Sequence, residues 1–145
     1  MAEMARGMLA DAMGIVRTND TRRMSAIVHH ETAIDALEEE CVRYMVQLSE
    51  RPLDIAQSNT VAGLLHAVSD IERISDHALN IAQIGEEKAN EVVPFTSEAI
   101  RELEQMYQKV DENLMAATRM LAAEDDEQFQ EMVDDIGERE EEIDG

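Results

Sequence analysis

Pro52 and Pro94 are the only prolines in the 145 residues, and no stretch alternates apolar and polar side chains with period two. A half-buried strand needs that alternation, whereas a helix needs apolar residues three and four apart and few breaks. The chain therefore reads as all-α. Five helices are predicted. The first runs from the start to about Arg17 and closes at the polar turn Thr18-Asn19-Asp20, where Asn19 or Asp20 can cap the next helix. The second runs from about Thr21 to Glu50 and stops at Arg51, because Pro52 disfavours helical geometry in its predecessor. The third starts near Asp54 or Ser58 and lasts to about Glu91. Beyond Pro94, Thr96 or Ser97 opens a fourth helix to about Ala123, the cluster Glu124-Asp125-Asp126 turns the chain, and a fifth helix reaches the end.

Charge narrows the function. The chain carries 33 acidic against 12 basic side chains, a net charge of −21, and Lys88 and Lys109 are its lysines. Neutralising phosphates takes clustered Lys and Arg, so a nucleic-acid surface is excluded, and an anionic membrane face is disfavoured for the same reason. With no Trp, two Tyr and two Phe there is no platform on which bases could stack. Hydrophobic residues still make up 44% of the chain, enough to bury a core, so this is not a disordered acid. Cys41, the single cysteine, reads as a small buried hydrophobe. Glu3, Arg6 and Asp11 break any would-be secretory signal. The least charged stretch, residues 55–69, is too short to span a bilayer, which needs about 20 apolar residues. A soluble, cytoplasmic chain is expected.

A weak internal repeat organises the helices. Leu9, Ile15, Val16, Asp20, Met24, Ile27 and Val28 align with Leu114, Met120, Leu121, Asp125, Phe129, Met132 and Val133. Helices one and two thus resemble helices four and five. If three helices make one unit, the second unit lacks its third helix, and the first helix is itself short against its counterpart. The expected division is a three-helix bundle over residues 1–93 followed by a helical hairpin over residues 94–145. Ile100, Leu103, Tyr107, Val110, Leu114, Ala117 and Leu121 follow heptad spacing along helix four. Phe129, Met132, Val133, Ile136 and Ile143 give helix five a matching stripe. A hairpin with one open side predicts a homodimer through residues 96–145.

The acids that matter lie on apolar faces. The pattern Asp/Glu-x-x-x-Asp begins at Glu31, Glu50, Glu72, Glu131 and Glu140, so in a chain this acidic the spacing alone discriminates little. On helix two, however, Glu31, Asp35 and Glu38 fall inside the arc formed by Met24, Ile27, Ile34, Leu37, Cys41, Val42, Met45 and Leu48. On helix three, Glu72 and Asp76 flank the arc of Leu64, Ala67, Ile71, Ile74, Ala78 and Ile81. Carboxylates placed there must be paired or bound to a cation, because burying an unpaired charge is costly. Two arrangements satisfy this. In one, Glu31, Asp35, Glu72 and Asp76 hold a hard cation between the helices. In the other, Arg73 forms a salt bridge to one of these acids and the rest are solvated at the rim. The four histidines, His29, His30, His66 and His77, form no metal-binding motif, and Glu39, Glu40 and the acidic run at 138–142 read as solvated faces.

The segment Asp70-Ile71-Glu72-Arg73-Ile74-Ser75-Asp76-His77-Ala78-Leu79-Asn80-Ile81 resembles the signature of the PhoU family, usually Glu-Arg-Ile-Gly-Asp-x-Ala-x-Asn-Ile, with Ser75 in place of the glycine. Helix two, with Val28, Glu31, Ile34, Asp35 and Leu37, resembles the same family. The Pro-x-Ala-x-Asp-Leu-Arg segment usual in stand-alone members is missing. Instead Tyr44-Met45-Val46-Gln47-Leu48-Ser49 and Leu64-Leu65-His66-Ala67-Val68 look like the PhoU-like cytoplasmic tail of bacterial sodium/phosphate cotransporters. The resemblance covers residues 1–91 well. It implies paired three-helix bundles, a regulatory role in phosphate uptake rather than catalysis, and iron or another hard cation on Glu31, Asp35, Glu72 and Asp76; Glu140 and Asp144 match without a partner helix. It implies as partner a transporter membrane domain or a phosphate-signalling protein, at the inner face of the cell membrane. The rivals are a stand-alone adaptor of a phosphate-specific ABC transporter and its sensor kinase, and a di-iron helical-bundle enzyme. The last lacks the Glu-x-x-His pairs of that chemistry, and no nucleophile or catalytic base stands out.

Overall fold

A computed structural model describes residues 1–91 and 94–121 of the chain. The chain divides into two compact units, the first essentially residues 3–92 and the second starting at residue 93. Among the described residues there are four α-helices and no strand: α1 (Ala2–Thr18), α2 (Met24–Ser49), α3 (Ile55–Glu91) and α4 (Ser97–Met120). Helix five, its apolar stripe, and the acids Glu140 and Asp144 lie outside the described residues.

Each break in the helices has a local cause. Asn19 ends α1 in the left-handed conformation, with φ 57°, and its N–H donates to the Ile15 carbonyl at 2.8 Å. Asn is one of the few residues with a side chain that tolerates this geometry. Asp20 then caps a short 3₁₀ turn, Thr21–Arg23, by accepting the Arg22 N–H at 3.2 Å. The Arg22 side chain folds back on the same carboxylate and is the main reason that Asp20 is held down at about 2. The second helix thus begins with one tight turn before its regular part. At the other end, α3 opens on a reciprocal capping box: Gln57 N–H donates to Asp54 Oδ1 at 2.8 Å, and Asp54 N–H donates to Gln57 Oε1 at 3.1 Å. Thr96 caps α4 by accepting the Ala99 N–H at 3.1 Å.

In the first unit α2 and α3 pack along each other, antiparallel as their short connection requires. Helix α1 buries Ala5, Met8, Leu9, Ala12, Ile15 and Val16. It meets the C-terminal half of α3, where Ser75, Ala78, Ala82 and Gly85 are buried at three- and four-residue spacing. Those small side chains let the backbones approach. A Cβ built on Gly85 would stand 3.0 Å from Ile15 Cγ2 and 3.2 Å from the Val16 backbone nitrogen. Lys88 closes the same end of the unit. Its buried ammonium donates to the Val16 carbonyl at 2.6 Å and to Asn19 Oδ1 at 2.8 Å. Val16 lies in the last turn of α1, where carbonyls lack helical partners and the helix dipole favours a cation.

The core is narrower than the apolar arcs suggest. Ile27, Ile34 and Met45 are buried on α2, but Leu37 is 40% exposed, and on α3 Leu64 is 43% exposed. Length accounts for part of this at Leu64: α1 has 17 residues, about 26 Å, against 37 residues and about 56 Å for α3. A helix that meets α3 around Gly85 and runs parallel to it reaches back only about halfway. In the second unit, Leu114 of the expected heptad seam on α4 is buried, while Leu103 and Val110 are each more than a third exposed. No described helix is long and apolar enough to cross a membrane.

Candidate metal centre

The antiparallel pairing of α2 and α3 sets two carboxylate stripes against each other. Glu31 and Asp35 lie one turn apart on α2, so their side chains share a face. Asp76 on α3 joins them. One carboxylate oxygen from each of Glu31, Asp35 and Asp76 can be chosen so that all three lie within 4.8 Å of one another. Glu31 and Asp35 are half-buried and Asp76 is exposed, so the group sits at the edge of the helix interface.

Glu72, the fourth expected ligand, stands outside this group of three but feels it. Its carboxyl is raised above the ordinary value first by burial, then by the charges of Asp76, Glu38 and Asp35, in that order. Arg73 pulls the other way and is the weakest of these influences. Glu38, two turns beyond Glu31 in the same arc, thus belongs to the electrostatic neighbourhood although the family motif does not single it out. The sequence signal for it was its place on the apolar face.

Arg73 does not neutralise the cluster. Its guanidinium lies 3.6 Å from Asp70, one turn back on the same helix, and both side chains are about two-thirds exposed. The side chain of Arg73 leans along the solvent side of α3, which corrects the arrangement in which it would bridge to one of the acids on the apolar faces. None of the four histidines joins the group of three carboxylates. His29 and His30 instead lie side by side, with ring centroids 6.3 Å apart and ring planes tilted by 41°.

The donor set fits a hard cation on two counts. All the available ligand atoms are carboxylate oxygens, the kind that magnesium, calcium, manganese and ferric iron take. In addition, Asp35 Oδ1 is buried with no hydrogen-bond partner. A buried carboxylate oxygen left unpaired is expensive, and a cation at that position would satisfy it. The serine of the signature also fits its place. Ser75 is fully buried, and its hydroxyl donates to the Glu72 carbonyl of its own helix at 2.7 Å, so it satisfies itself without disturbing the close contact.

A helical bundle that sets an acidic pair on one helix against the Glu-Arg-Ile-Ser-Asp signature on the next defines a PhoU-type domain. Residues 1–85 match the PhoU domain, and the chain belongs to that family. It is similar to the phosphate-specific transport system accessory protein PhoU homologs of Xylella fastidiosa strains Temecula1 / ATCC 700964 and 9a5c. With each it shares 36% identity over 84 residues, which is 57% of this chain and 35% of the relative. The chain thus spans about a third of the length of these relatives. No solved structure matches it.

Proposed function

We propose that this chain is a cytosolic regulatory domain of phosphate transport, acting through contacts with other proteins rather than by catalysis. The observation that carries this reading is the PhoU match over residues 1–85, whose signature helix supplies Asp76 to the group formed with Glu31 and Asp35. The relatives are named as accessory proteins of phosphate-specific transport systems, which supports an accessory role here as well. The partner in this reading is a transporter membrane domain or a phosphate-signalling protein, at the inner face of the cell membrane.

In the finer form of the proposal the chain is part of the cytoplasmic tail of a sodium/phosphate cotransporter. The segments at 44–49 and 64–68, and the missing Pro-x-Ala-x-Asp-Leu-Arg segment, favour it. The names of the Xylella relatives favour the second reading, a stand-alone adaptor of an ABC transporter. A hard cation such as iron would be held by Glu31, Asp35 and Asp76, with Glu72 beside them. When bound it supplies positive charge that ties α2 to α3. The protein's own contribution is the fixed carboxylate spacing and the unpaired Asp35 oxygen. A homodimer through residues 96–145 completes the proposal.

Deleting the coding region for residues 1–145 and measuring labelled phosphate uptake in phosphate-replete and phosphate-starved cells tests the role. Loss of the difference between the two conditions is expected. Unchanged uptake in both sinks the reading. Transmembrane helices in the same open reading frame select the cotransporter form, and their absence selects the adaptor.

A further inference from the structure

We draw no further inference here: the strongest candidate, the apolar face that α2 and α3 leave open around Leu37, Tyr44 and Leu64, carries nothing because nothing in the structure shows what covers it.

Discussion

Arg73 and Glu72 are neighbours in the signature, yet the fold assigns them opposite surroundings. Arg73 is two-thirds exposed beside Asp70, and exposed ion pairs of this kind contribute little. Arg73→Ala should therefore change the unfolding free energy by less than about 0.5 kcal/mol; a loss above about 1 kcal/mol in urea titration would restore Arg73 as the counter-charge of the cluster. Glu72 carries the reverse liability. Its folded carboxyl holds a proton more readily than in the unfolded chain, because burial and the acids around it oppose ionisation. Between the unfolded value of about 4.5 and the raised folded one, the folded state binds more protons than the unfolded state. Stability attributable to this group is thus present at low pH and falls as pH rises through that window. Many other carboxylates titrate there too, so the test is a difference. Glu72→Gln should be more stable than the parent at pH 7 without added metal, with the gap narrowing as pH drops toward 4. A gap that stays constant with pH assigns Glu72 to solvent.

At the scale of the helices, two features bear on how the first unit holds together. One is the group of carboxylates that α2 and α3 bring together, whose like charges repel unless a cation sits among them. A cation that prefers the folded site at 100 times its dissociation constant stabilises by about 2.7 kcal/mol. Manganese or ferrous iron added to chelator-treated protein should therefore raise the melting temperature by several degrees, and Asp35→Asn should abolish the rise. Equal curves for parent and variant with every metal tried would make the acid group a purely electrostatic feature. The other feature is the Lys88 clamp on α1. Lys88→Met keeps most of the apolar stem but removes donors from the Val16 carbonyl and Asn19 Oδ1, and leaving such acceptors unsatisfied costs about 1–3 kcal/mol. Hydrogen exchange should show α1 loosening ahead of α2 and α3; uniform loss of protection would mean that α1 does not depend on the clamp. These two features were unequally legible. The carboxylate group could be read in part from the apolar face that carries Glu31 and Asp35, not from the spacing, and the signature supplied Asp76 on the next helix together with Glu72, which stands outside the group. The Lys88 contact joins residues 72 apart in sequence and follows no local pattern. Helix ends at Asn19, Pro52 and Thr96 were readable because turn chemistry is local. The exposure of Leu64 was not, because a helical arc records which side is apolar but not how far the covering helix extends.

For the molecule as a whole the open question is what meets the apolar face of α4. Leu103 and Val110 are each more than a third exposed there, Met106 is 60% exposed, and Phe95, Ala99, Glu102, Leu103 and Met106 line an open groove of about 420 Å³. Large exposed apolar patches mark interaction surfaces. Pairing α4 with the same helix of a second copy would bury Leu103, Met106 and Val110 on both sides, and full burial of such a side chain is worth about 1.5–3 kcal/mol. Opposing this is the net charge of −21 on every copy. Salt tips the balance: at physiological ionic strength repulsion between exposed charges is screened beyond about 8 Å, whereas apolar burial is not weakened by screening. A dimer through residues 96–145 should therefore tighten as sodium chloride rises from low to physiological concentration. Sedimentation velocity at micromolar protein reads this directly. Met106→Glu should return the chain to monomer at both salt concentrations, because it places a charge in the groove beside Leu103, one turn from each of the seam residues Leu103 and Val110. A parent that sediments as a monomer at high salt removes the dimer from the proposal, and a dimer indifferent to Met106→Glu moves it off this face.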